Sequence, residues 1–157
     1  MKGDFDMKNY EVNHETLAVI GIDKSTSRVI EHKKEYLITD NAYHVMDESC
    51  KYFGSSYLGR QEGSKKILGA KYKLPIVVEE SSELIFFPIG SLENSNCLWV
   101  SLKWFQDVTS RGKKVYILLK NGKKIECKCS KESIQNQVMR ASRLNLILNQ
   151  RKLEKNK

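Results

Sequence analysis

The chain has 157 residues, 40% hydrophobic and 29% charged, a length and balance that fit one globular domain and exclude a disordered chain. No apolar run approaches membrane-spanning length and Met1 to Asp6 has no apolar leader core, so a cytoplasmic protein with no membrane partner is expected. The formal charge of +8, with four dispersed cysteines too sparse for a disulfide scaffold, points to a reduced protein with a polyanionic partner.

In chain order, Tyr10 to Asn13 and Thr16 to Ile20 read as strands, the second ended by Gly21. Ser27 to Glu31 and Glu35 to Thr39 repeat that character, and a β-meander is the simplest arrangement. The period then changes. Tyr43, Met46, Cys50 and Phe53 share one face of a helix capped by Asp40 or Asn41, with Gly54 placed as the residue that ends it. A loop through Gly59 and Gly63 is expected next, reaching a possible helical turn at Lys65 to Gly69. Short strands follow at Ile76 to Val78 and Leu84 to Phe87, with Pro75 and Pro88 just outside them, as suits strand ends. A polar loop from Gly90 to Asn96 leads into another strand, Cys97 to Leu102; Trp104 and Phe105 have no clear placement.

The strongest local signal is Lys114 to Cys129, where Asn121-Gly122 predicts a two-residue type I′ hairpin and Ile125, Cys127 and Cys129 alternate with charged residues. Ile134, Val138, Ala141, Leu144 and Leu148 then mark an amphipathic helix capped by Ser130 or Ser133, with Arg140, Arg143 and Arg151 off the stripe. The fold class expected is α+β: a single β-rich domain over residues 1–151 with a central helix and a C-terminal amphipathic helix. Residues 152–157 read as a short, frayed basic tail.

Charge is distributed in alternating blocks. Residues 49–78 carry six basic side chains against one acidic, and residues 111–157 carry fourteen against three, whereas the other two blocks are acidic. Such asymmetry favours nucleic acid first and an anionic membrane surface second, over a basic surface kept for solubility. Between Ser49 and Lys66, glycines, serines, aromatics and cations interleave. Small residues let main-chain N–H groups approach an anion that Lys and Arg neutralise. The candidate nucleic-acid-binding residues are Lys51, Ser55, Ser56, Arg60, Lys65, Lys66, Lys71 and Lys73, with Arg140 and Arg143 as a second basic face. Tyr52, Phe53 and Tyr57 are candidate wedges, although Phe53 lies on the apolar stripe and is expected in the core.

Other chemistries are poorly supported. Gly54 to Gln61 nearly matches the phosphate-binding pattern G-x4-G-K-[ST], but Arg60 and Gln61 replace the lysine and the magnesium-binding hydroxyl, and the segment follows a helix instead of a strand. Cys127 and Cys129 have no second Cys or His pair at zinc-site distance, and His14, His32 and His44 are scattered. A Cys/His pair that meets only in space is left open. No catalytic residue, cofactor or metal is expected.

The residues do resemble a known family, the ComK competence transcription factors of Firmicutes. The blocks that carry the resemblance are Tyr10-Glu11-Val12-Asn13, Ser49-Cys50-x-Tyr52-Phe53-Gly54-Ser55-Ser56-Tyr57-x-Gly59-Arg60-x-x-Gly63, Pro75-Ile76-x-Val78 and Phe86-Phe87-Pro88. Cys97-x-Trp99-Val100-Ser101, Asn121-Gly122-Lys123 and Asn136-Gln137-Val138-x-Arg140 follow in family order, and the central block is the most specific. ComK proteins activate DNA-uptake genes and bind paired AT-rich boxes as multimers, chiefly through the minor groove. The resemblance therefore implies a nucleoid-associated activator that binds AT-rich double-stranded promoter DNA as a homo-oligomer, with RNA polymerase as a further partner. The alternative is a ComK-like regulator or interaction protein that binds without activating transcription. Two departures bear on this. Longer members continue into a segment associated with a Clp-protease adaptor, a partner not expected for a sequence ending at Lys157. Arg143 stands where a family tryptophan is expected, which points to a changed activation or multimer surface.

Overall fold

The computed structural model describes residues 6–90 and 96–155, so most of the expected 90–96 loop lies outside the described residues. Strands β1 (Asp6–Met7), β2 (Thr16–Gly21), β3 (Ser27–Glu31) and β4 (Glu35–Ile38) open the fold, and β2, β3 and β4 form the expected antiparallel meander. Tyr10 to Asn13 belongs to neither sheet, a correction with a local cause. The Asn13 side chain accepts the Glu15 N–H at 2.8 Å, closing a turn that breaks the run before β2 begins. The segment is tied down by other means. Val12 N–H donates to Ser49 Oγ at 3.0 Å, and buried Tyr10 meets Thr16 Oγ1 at 2.7 Å and donates to Glu31.

Helix α1 (Ala42–Tyr52) is capped by Asn41, whose side chain accepts the His44 N–H at 2.8 Å, and Gly54 follows it at φ +91° as expected. Its buried face is Ala42, Val45, Met46, Ser49 and Cys50. The expected stripe is thus rotated: Met46 and Cys50 are inside, whereas Tyr43 and Phe53 are exposed. Small residues let the helix sit close to the sheet, and Ser49 is tolerated there because its hydroxyl donates to Val45 O at 2.7 Å.

The larger correction concerns the expected glycine/serine loop, which is a second helix, α2 (Tyr57–Leu68). Gly59 and Gly63 each cost about 1 kcal/mol relative to alanine, which hides the helix from a propensity reading. Both ends compensate. Ser56 Oγ accepts the Gly59 N–H at 3.0 Å, Asp47 accepts the Tyr57 N–H at 2.9 Å, and Gly69 ends the helix in the left-handed region at φ +70°.

Strands β5 (Ile76–Glu79), β6 (Leu84–Ile89) and β7 (Leu98–Ser101) complete a seven-stranded sheet in the order β1-β4-β3-β2-β7-β6-β5. Pro88 lies inside β6 opposite Trp99, not beyond the strand as expected. It is tolerated because the β5 ladder ends at Ile76–Phe86, so no β5 partner faces its missing N–H. Strands β8 (Phe105–Arg111), β9 (Lys114–Leu119) and β10 (Lys124–Cys127) form a second sheet, ordered β10-β9-β8. Phe105 opens β8, while Trp104 lies in the preceding turn and donates its indole N–H to His14 O at 2.7 Å. The β9–β10 hairpin is not type I′. Gly122 alone has positive φ and its N–H reaches Leu119 O at 2.9 Å, as in a turn closed by a glycine bulge. Helix α3 (Lys131–Lys155) starts from Ser130, whose hydroxyl accepts the Ser133 N–H at 3.1 Å, and runs past Arg151, so the expected tail is helical as far as Lys155.

The class is α+β, in three layers. One face of the large sheet packs Val19, Val29, Phe86 and Trp99 against α1 and Tyr57 of α2. The other packs Ala18, Phe87 and Val100 against the small sheet and against Ile134, Ala141 and Leu144 of α3. A sheet covered on both sides explains why β6 reads as an unbroken apolar run with no alternation.

Candidate nucleic-acid interface

Helix α2 buries Tyr57 and Ser64 toward the sheet, where Ser64 Oγ donates to Pro75 O at 2.6 Å. Its outer side presents Leu58, Gly59, Glu62, Gly63, Lys65 and Lys66. The two lysines occupy the last turn, where cations also complement the helix dipole. Lys71, Tyr72 and Lys73 follow on an exposed turn, ended by buried Leu74.

Helix α3 meets that turn. Arg140 Nη1 donates to Tyr72 O at 2.7 Å and to Lys73 O at 3.4 Å, while Gln137 Nε2 donates to Lys73 O and Pro88 O, both at 2.8 Å. Between the turn, the end of β6 and α3 lies an open groove of about 570 Å³, lined by residues that include Leu68, Tyr72, Lys73, Met139, Arg140 and Arg143. Two sequence-distant basic sets, Lys71 with Lys73 and Arg140 with Arg143, are therefore brought together. Lys65 and Lys66 lie within a turn of Leu68 on the same helix end.

The remaining candidates are placed differently. Lys51 pairs with Asp47 at 3.1 Å and Glu48 at 3.5 Å, and these acids hold its ammonium above the ordinary lysine value. Ser56 is occupied as the α2 cap, and the Ser55 N–H closes the loop onto Cys50 O at 3.0 Å. Arg60 is half-buried, with its Nε shielded from solvent and without a hydrogen-bond partner among the described residues. Of the aromatic candidates, Tyr57 is core, packed edge-on to Trp99, whereas Tyr52 and Phe53 are exposed. Sequence reasoning overlooked Tyr72, Gln137 and Met139 at the groove. The Lys-Tyr-Lys triplet before Pro75 was the available signal for the first; Gln137 lay within a recognised block but off the apolar stripe.

Reactive chemistry finds little support. Burial pushes the Cys50 and Cys97 thiols up to about 12 and Cys127 up to about 11, so none is a thiolate at neutral pH. Among the described residues no three His, Cys, Asp or Glu side chains group as metal ligands, and no helix is long and apolar enough to cross a membrane.

No solved structure matches the chain. The family model described as ComK protein matches residues 7–153. The chain is also similar to the competence transcription factor of Bacillus subtilis (strain 168), at 33% identity over 147 residues, covering 90% of this chain and 76% of that protein. A transcription-factor family accounts for a basic groove without an enzymatic activity. The chain belongs to the ComK family of competence transcription factors.

Proposed function

We propose that this protein binds double-stranded DNA at AT-rich promoter boxes, chiefly through the minor groove, and so switches on DNA-uptake genes. The observation that carries this reading is the meeting of Lys73 with Arg143 of α3 on one open groove, with exposed Lys65, Lys66 and Lys71 on the chain segment that leads into it. Long, exposed cations on a folded rim neutralise phosphates and release counterions, and about five such contacts give a log–log salt slope of about −4.5. AT-rich tracts narrow the minor groove and deepen its negative potential, so a cationic rim selects them without a major-groove code. Arg140 is assigned a supporting role, because its guanidinium is spent on the carbonyls of Tyr72 and Lys73. Paired boxes require at least two copies of the site, so binding as a homo-oligomer that contacts RNA polymerase belongs to the same reading.

Base substitution within one box separates the grooves. Inosine·cytosine pairs lack the guanine amino group and so imitate A·T in the minor groove while imitating G·C in the major groove. In gel-shift titrations, a box with I·C in place of A·T is expected to bind like the AT box, and a G·C box markedly more weakly. Equal affinity for all three contradicts sequence selection, and I·C behaving like G·C contradicts minor-groove reading.

A further inference from the structure

Tyr72 is 78% exposed, more than any other large hydrophobic side chain among the described residues. A lone exposed tyrosine is ordinary on a protein surface. What distinguishes this one is the rigidity of the backbone beneath it. The carbonyl of Tyr72 is held by Arg140 and that of Lys73 by both Arg140 and Gln137, and Gln137 itself is only 8% exposed. Lys73 adopts φ +51°, a left-handed conformation that a non-glycine residue holds only where its surroundings impose it. Gly69 caps α2 on one side and Leu74 is buried on the other, so a short, braced tip projects from the fold.

The tip has a defined chemistry. An aromatic ring stands between two exposed lysines and shares a groove with Met139, itself 68% exposed, and with Arg143. Apolar side chains flanked by cations are the means by which minor-groove proteins part a base step, the cations holding phosphates while the wedge enters the stack. Pyrimidine–purine steps such as TA, available in AT-rich boxes, unstack most readily.

We propose that Tyr72 enters the base stack at such a step from the minor groove, and that Gln137 and Arg140 are positioning residues that brace it. This rests on the DNA-binding reading above and adds a residue that sets specificity. Bracing matters because a ring on a mobile loop would lose its ordering entropy on insertion, whereas one on a fixed turn has already lost it.

The test places 2-aminopurine at the TA step of an AT-box duplex and measures its fluorescence together with affinity across salt. Wild-type protein is expected to raise the fluorescence by unstacking the probe. Tyr72→Ala is expected to abolish the rise and weaken AT-box binding about tenfold, the scale of losing one stacking contact, while leaving the salt slope unchanged. Tyr72→Phe is expected to keep the rise. Arg140→Ala is expected to diminish it at an unchanged salt slope, and Arg140→Lys, which retains a cationic donor, to restore part of it. Thermal melts of each variant verify folding; because the ring is exposed, Tyr72→Ala folds like the wild type. A full fluorescence rise with Tyr72→Ala overturns the wedge while leaving the DNA-binding reading intact. A full rise with Arg140→Ala overturns the bracing role. Equal binding of AT and GC duplexes by the wild-type protein overturns both the wedge and the reading beneath it.

Discussion

The carboxylate of Asp47 accepts the backbone N–H of Tyr57 at 2.9 Å, so the second turn of α1 caps the start of α2. The same carboxylate pairs with Lys51 at 3.1 Å. The two helices are therefore joined by a side chain as well as by the Gly54–Ser56 loop, and the orientation of α2 on the sheet follows from α1.

That joint sets a stability prediction. Burial works to raise the Asp47 carboxyl, but the Tyr57 N–H and Lys51 outweigh it and hold the group below the ordinary carboxylate value. Its contribution is fully present above the unfolded-state value and is lost as pH falls through the lower folded one. Asp47→Ala is expected to cost about 1–2 kcal/mol in urea denaturation at pH 7, with the difference from wild type shrinking as acid protonates the folded-state carboxylate. A difference that grows in acid contradicts the sign.

The two glycines of α2 are expected to respond differently to alanine. A Cβ at Gly59 would stand 2.9 Å from Ser55 Oγ and 3.3 Å from Ser56 Oγ, crowding the hydroxyl that caps the helix, whereas a Cβ at Gly63 meets nothing within 4 Å. Gly63→Ala is expected to raise stability by about 0.5–1 kcal/mol through helix propensity, and Gly59→Ala to bring no gain. Thermal melts of the two variants side by side read this directly.

Gln137 ties α3 to two carbonyls, those of Lys73 and Pro88, from a buried position. Gln137→Leu keeps the volume but leaves both carbonyls without that donor, and is expected to cost about 2–3 kcal/mol. Hydrogen exchange localises the effect. Amides of residues 70–74 should lose protection first, and uniform loss across both sheets would argue against a local brace.

Lysines that look equivalent in the sequence are expected to differ on DNA. Lys51 is engaged by Asp47 and Glu48, whereas Lys66 is exposed on the last turn of α2 with no ion pair among the described residues. Lys66→Ala is expected to reduce the salt slope of DNA binding by about 1, and Lys51→Ala by much less. Equal losses would remove the distinction.

Much of the fold was legible because burial and chain period coincide in particular places. β2, β3 and β4 carry β-branched runs ended by turns, and α3 carries Ile134, Ala141 and Leu144 on one stripe. α2 was not legible because its two glycines, weak amphipathicity and serine-rich start resemble a loop, and its stability comes from Asp47, Ser56 and Gly69 at its ends. β8 escaped notice because its outer residues are polar and its partner is β9 in a second, smaller sheet. For the groove, the cations were visible as two separate sets. Their convergence depends on Gln137 and Arg140 reaching carbonyls more than sixty residues away in sequence, a long-range contact that no local pattern encodes.

The central claim is that the groove between the 71–73 turn and α3 receives AT-rich DNA. The most direct measurement is a fluorescence-anisotropy titration of AT-box and GC-substituted duplexes across salt, with the wild-type protein and with a Lys73→Ala/Arg143→Ala double variant. Preferential AT-box binding by the wild type is expected, with the variant's salt slope lower by about 2 and its melting behaviour preserved. Equal and weak binding of both duplexes by the wild-type protein, or an unchanged slope in the double variant, would contradict it.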